Sequence, residues 1–147
     1  MRLTKILGAM AIAFIFSLGL TSCGGFSEKA AEKMVEKYDD GDMKKDDFSK
    51  CIDWVEKYYQ DYEKGIEDAI QDSKNEKKFS KNIEDFEDKF EDKWDGIEDV
   101  IEMLNRASYD DDKDMGSSNI KRWEKLTEKH GEKIDKLREK AVKKFDD

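Results

Sequence analysis

Apolar residues recur at every third or fourth position through most of this chain, and that spacing constrains its fold more than any other feature. From residue 48 to residue 70 the apolar positions are separated by 4, 3, 4, 3, 4 and 4 residues. Because an α-helix turns once per 3.6 residues, this spacing places the apolar side chains along one face. No window shows the alternation of apolar and polar residues that is typical of a strand. The sequence therefore predicts an all-α fold.

A short N-terminal helix and three long helices are expected, over residues 27–38, 46–72, 76–106 and 118–145. Ser27 suits the N-cap of the first helix, and Gly41 suits its end. Ser73 and Glu76 fit a capping box before the third helix, and Gly96 lies within that helix. Its predicted stripe is Phe79, Ile83, Phe86, Phe90, Trp94, Ile97, Ile101 and Leu104. Short connections predict an antiparallel up-down bundle.

The composition favours disorder, and the placement of the apolar residues outweighs it. Charged residues make up 44% of the chain, and only 21 of residues 23–147 are Ile, Leu, Val or Phe. Chains with so few of these residues and so much charge are often disordered. Here eight Trp and Tyr residues add apolar surface, and the apolar residues recur at helical spacing. We therefore expect residues 23–147 to fold as one helical domain.

The first 23 residues have the three parts of an export signal. Arg2 and Lys5 are basic, residues 6–20 are uncharged and mostly apolar, and Leu20-Thr21-Ser22-Cys23 follows directly. A 15-residue apolar stretch is short for a membrane-spanning helix. The segment resembles the signal peptide of bacterial lipoproteins, in which these last four residues would be the lipobox. An ordinary secretory signal followed by a chance cysteine is the alternative.

The resemblance implies that residues 1–22 are removed and that Cys23 becomes the lipidated first residue. Several acyl chains on one residue hold a protein firmly to a membrane without spanning it. Gly24 stands where Asp would favour retention in the inner membrane, so the expected location is the outer membrane of the cell envelope. The Ser-Cys-Gly-Gly junction is similar to that of Bacteroidetes-type lipoproteins. Their acidic surface-export run is not present here, and the sequence leaves periplasmic or surface display open.

Residues 23–147 carry 26 basic and 37 acidic side chains, a net charge of −11. Nucleic acids and anionic lipids bind to Lys- and Arg-rich surfaces, so the charge argues against a nucleic-acid partner. One histidine and two cysteines leave too few ligands for most zinc, haem or iron–sulfur sites. No metal, cofactor or catalytic residue is therefore expected, apart from covalent lipid on Cys23.

One face of the second helix carries more aromatic surface than a single neighbour needs. Its residues are spaced 3, 4 and 4 apart, and they are Cys51, Trp54, Tyr58 and Tyr62. Packing against the short first helix would account for this face. Alternatively, the four residues form an exposed binding face for a partner, since Trp and Tyr are common interface anchors.

Three further features have both a structural and a functional interpretation. His130 lies in the apolar stripe of the last helix, where a hydrogen-bonded packed histidine is expected rather than a ligand. Cys51 is expected to be an inert, partly buried thiol. The acidic stretch Asp110–Gly116 superficially resembles a calcium loop, but Met115 and Lys121 occupy the positions that require Gly and an acid. We therefore expect no specific calcium site there.

The sequence as a whole is similar in style to small helical lipoproteins of the bacterial envelope. It predicts a non-catalytic, membrane-anchored module that interacts with another envelope protein or has a structural role. The alternative is a binder of a small ligand or of cations, through the acidic loop or a pocket between helices.

Overall fold

The computed structural model describes residues 25–110 and 114–146, and within these ranges the chain is 84% helical and has no strand. Five helices lie in the described part of the chain. They are α1 (Glu28–Asp39), α2 (Lys45–Asp72), α3 (Glu76–Lys93), α4 (Ile97–Tyr109) and α5 (Ser117–Phe145). The predicted all-α class is confirmed.

The prediction of one continuous helix over residues 76–106 is wrong. α3 ends at Lys93, α4 begins at Ile97, and Gly96 between them has a φ of +84°. Residues with a Cβ rarely adopt this left-handed conformation, whereas glycine does so freely. A Cβ on Gly96 would lie 3.4 Å from the Cβ of Ala31 in α1, an ordinary van der Waals distance. The left-handed backbone, and not a lack of space, is therefore what requires glycine at the N-cap of α4.

The break shifts the set of buried residues in α4. The uninterrupted stripe predicted Ile101 in the core, but Ile101 is only half-buried, while Val100 and Met103 are buried. Ile97 and Leu104 are buried as predicted. A turn between two helices resets the angular position of every later residue, so extrapolating the spacing through Gly96 misplaced Ile101 and missed Val100 and Met103.

The helix ends follow local hydrogen bonding. Ser27 caps α1 as predicted, because its Oγ accepts the N–H of Ala30 at 3.1 Å. The predicted cap of α3 is wrong: Asn75 fills that role and accepts the N–H of Lys78 at 2.9 Å. Ser73 is buried, and its hydroxyl instead donates to the carbonyl of Ala69 in α2.

The start of α2 is held by Asp47. Its carboxylate accepts the backbone N–H of Lys44 at 3.0 Å and pairs with the ammonium of Lys37 at 3.3 Å. The backbone hydrogen bond, assisted by Lys37, holds the pKa of Asp47 below its usual value.

The described residues form two compact units. The first unit contains residues 59–93 and 129–146, and the second contains residues 25–58, 94–110 and 114–128.

In the first unit the aromatic rings of α3 meet α2 and α5. Phe79 stacks on Phe145 with ring centroids 4.9 Å apart, and Tyr62 lies 6.3 Å from Phe90. The ammonium of Lys144 donates to the carbonyls of Ile70 and Gln71 at the end of α2. This contact satisfies carbonyl groups that the helix itself leaves without a partner.

In the second unit α1 packs against α4. An aromatic cluster lies next to the N-terminus of α1. Phe26, which precedes α1, lies 5.4 Å from Trp54 and 4.9 Å from Trp94 between ring centroids. Trp123 of α5 is buried and donates its Nε1–H to Asn105 of α4 at 3.1 Å.

Candidate functional site

The predicted lipidation site, Cys23, and the whole lipobox lie outside the described residues. None of the helices within the described ranges combines the length and the apolar character that crossing a bilayer requires.

The candidate partner-binding face is buried rather than exposed. In the second unit Cys51, Trp54 and Tyr58 have exposed fractions of 0%, 1% and 5%. Phe26 lies against the ring of Trp54, and Trp94 makes an edge-to-face contact with Tyr58 at 5.6 Å. A partner cannot reach these side chains in this structure, so the hypothesis that they form an exposed binding face is wrong.

Tyr62, the fourth residue of that face, belongs to the first unit and is also buried. Its ring lies among Phe86, Phe90 and the imidazole of His130. Burial raises the pKa of its hydroxyl well above the usual value, and the negative charge of Glu87 adds to this. Tyr62 is therefore a neutral core residue at every physiological pH.

Cys51 has the environment of an unreactive thiol. Burial, assisted by the charge of Asp47, raises its pKa to about 12. The thiolate is the nucleophilic form of cysteine, and a pKa this high leaves almost none of it near neutral pH.

His130 of α5 is held by two residues of α2. Its ring stacks on Tyr59 with centroids 3.8 Å apart and an interplanar angle of 5°, and its Nδ1 lies 3.1 Å from Oε1 of Glu63. In a hydrogen bond between these two atoms, the ring N–H is the donor and the carboxylate oxygen is the acceptor. The side chains of His130 and Glu63 are 18% and 20% exposed.

The arrangement orients the imidazole between the two helices, as expected for a packed histidine. A Glu–His pair can also support a nucleophile. Here the rings of Tyr59 and Tyr62 lie against the imidazole. Glu63 was missed at the sequence level. Its position four residues after Tyr59, on the same face of a helix, was the available signal.

Glu87 of α3 is the carboxyl whose acidity the structure changes most clearly. Partial burial, together with the charges of Glu91, Asp88 and Glu84, raises its pKa to about 7. Desolvation and neighbouring carboxylates both disfavour its ionised form. The sequence shows these acids close together, but their spacing does not reveal which one is partly buried.

The acidic stretch Asp110–Gly116 is described only in part, because residues 111–113 lie outside the described ranges. Met115 is 1% exposed, so its side chain packs in the core. The carboxylate of Asp114 lies 3.6 Å from the ammonium of Lys45. Among the described residues, no group of three or more His, Cys, Asp or Glu side chains is arranged to hold a metal ion.

Comparison with known proteins found no matching family model, no matching curated protein and no matching solved structure.

Proposed function

We propose that the chain is a lipid-anchored, non-catalytic helical module of the bacterial cell envelope, held in the outer membrane by acyl chains on Cys23. The observation that carries the proposal is the run of a basic start, an apolar segment and the lipobox Leu20–Cys23. The proposal includes an up-down arrangement of the long helices.

The order of contacts within the first unit supports that arrangement. In the first unit, residues 63, 67 and 70 of α2 meet residues 130, 140 and 144 of α5, so these segments run parallel. In the same unit Asp61 meets Lys93 and Tyr62 meets Phe90, so α2 and α3 run in opposite directions. This is the chain direction expected when consecutive helices are antiparallel.

The surface that a protein partner can contact is charged. Among the described residues, Tyr109 is the only large hydrophobic side chain that is exposed. Residues 23–147 have a net charge of −11. Charge complementarity steers association and favours partners of opposite sign. We therefore expect a partner with a basic contact surface and an interaction that weakens as salt is added.

The two cysteines provide a matched test of the anchor. Cys23→Ala should abolish acylation, whereas Cys51→Ala should leave it intact, because Cys51 lies outside the predicted lipobox. The readouts are the intact mass of the mature protein and its partition into the detergent phase of a Triton X-114 extract.

A mature N-terminus at Cys23 with the mass of attached acyl chains is expected for the unaltered chain and for Cys51→Ala. An unmodified Cys23, or a chain that retains residues 1–22, would contradict the proposal.

A further inference from the structure

The segment that would join the lipid to the fold is short. Only Gly24 and Gly25 separate Cys23 from Phe26 in the sequence. Three Cα-to-Cα steps of a fully extended chain span about 11 Å. When Cys23 is fixed at the membrane, Phe26 therefore lies within about 11 Å of it.

Phe26 is part of the folded structure rather than of a free linker. Its ring is half-buried and packs between Trp54 and Trp94, whose centroids lie 5.4 Å and 4.9 Å away. Both tryptophans are almost completely buried. Aromatic pairs at these distances contribute beyond their buried area, so the cluster resists release of Phe26.

The next residue reinforces this attachment. Ser27 caps α1 through its contact with the N–H of Ala30. Ala31, one turn into α1, lies close to the Gly96 turn that precedes α4. The chain is therefore ordered by packing and by hydrogen bonds from the third residue after the predicted lipidation site.

We propose that the second unit lies directly on the membrane and binds the lipid headgroup layer through the surface around Phe26, at the N-terminus of α1. The inference rests on the proposed lipidation of Cys23. It adds which surface of the folded domain faces the bilayer. A long flexible linker would let the domain move away from the membrane, but a reach of about 11 Å does not.

Energy transfer from the protein to the bilayer tests this geometry. The acylated full-length protein carries a fluorophore on Lys29→Cys, an exposed position in the first turn of α1. It is reconstituted into phosphatidylcholine vesicles that contain a lipid acceptor. Cys51 does not compete for the label, because it is 0% exposed.

Two insertions of the same 12 Gly and Ser residues form the matched comparison. One lies between Gly25 and Phe26 and lengthens the tether by an r.m.s. distance of about 20 Å. The other lies between Gly41 and Asp42, at the exposed end of α1, and leaves the tether unchanged. The tether insertion should lower energy transfer from position 29 by about twofold or more, and the control insertion should not lower it.

The possible outcomes separate this inference from the proposed function. Acylated protein whose energy transfer does not respond to the tether insertion would overturn this inference alone. Protein without acyl mass on Cys23 would overturn both. Circular dichroism of both insertion variants should match the unaltered chain, and the control insertion identifies any loss of transfer that comes from unfolding.

Discussion

Burial determines the chemistry of the individual side chains in this protein. Tyr62 and Cys51 lie in the core and have raised pKa values, so neither is ionised near neutral pH. His130 is only partly buried, and it is oriented by Tyr59 and Glu63. The residue types that most often do chemistry are thus used here for packing or for hydrogen bonds between helices.

Cys51 should be almost inert towards alkylation. A thiol that is 0% exposed and has a pKa of about 12 offers neither access nor thiolate. In the chain with Cys23→Ala, iodoacetamide at pH 8 should modify Cys51 at least about 100-fold more slowly in the native state than in 6 M guanidinium chloride, because the reaction requires an opened structure. Mass spectrometry over time measures both rates. Equal rates would show that the thiol is accessible.

Glu87 should make the protein less stable as the pH rises. The folded state holds its proton more tightly than the unfolded state, since its pKa rises from 4.5 to about 7. Its unfavourable contribution is therefore absent below about pH 4.5, grows between pH 4.5 and 7, and is complete above pH 7. Solvent screening at this partly exposed site reduces the expected effect to about 1 kcal/mol.

Glu87→Gln removes this titration. It should raise the free energy of unfolding at pH 8 and change it little at pH 4.5, as measured by urea denaturation. Glu84→Gln, an exposed neighbour on the same helix, is the control for the loss of one negative charge. An equal gain from both variants at pH 8 would mean that general charge repulsion, and not burial of Glu87, is responsible.

At the scale of elements, a glycine separates two helices only where its own backbone leaves the helical conformation. Gly96 and Gly116 have positive φ values and lie in turns that precede helices. Gly131 lies within α5, and a Cβ there would meet nothing within 4 Å. The same residue type therefore has opposite effects on stability at these positions.

Two Gly→Ala substitutions test this difference. Gly96→Ala should destabilise the protein by about 1–3 kcal/mol, because Ala is strained at a φ of +84°. Gly131→Ala should stabilise it by up to about 1 kcal/mol, because Ala loses less backbone entropy in a helix. Chemical denaturation of both variants gives the two free energies. Stabilisation by Gly96→Ala would imply that α3 and α4 can join into one helix.

At the scale of the whole molecule, a limited number of aliphatic residues is supplemented by aromatic rings. Trp54 and Trp94 are among the largest fully buried side chains, together with Phe48, Phe79 and Phe90. An aromatic side chain buries more area than an aliphatic one, and this larger area compensates for the small number of aliphatic residues. A chain whose composition favours disorder can therefore form an ordered core.

The protein should be predominantly helical by circular dichroism, and substitution in the core of either unit should weaken it. Phe90→Ala in the first unit and Ile97→Ala in the second should each cost about 2–5 kcal/mol, because both residues are buried. Tyr109→Ala, at a position that is 90% exposed, is the control and should cost little. A random-coil spectrum of the unaltered chain would contradict the fold.

The sequence by itself determined the all-α class, the Ser27 cap and most of the buried positions, because helical periodicity and capping depend on residues within one or two turns. Only the tertiary structure decided that the helix breaks between Lys93 and Ile97, and that Trp54 and Tyr58 are covered. These outcomes depend on which segments meet in space. Trp94 and Phe26 cover the α2 face from positions 40 and 28 residues away from Trp54, and Ala31 approaches Gly96 across 65 residues of chain. Local spacing carries no information about such distant contacts.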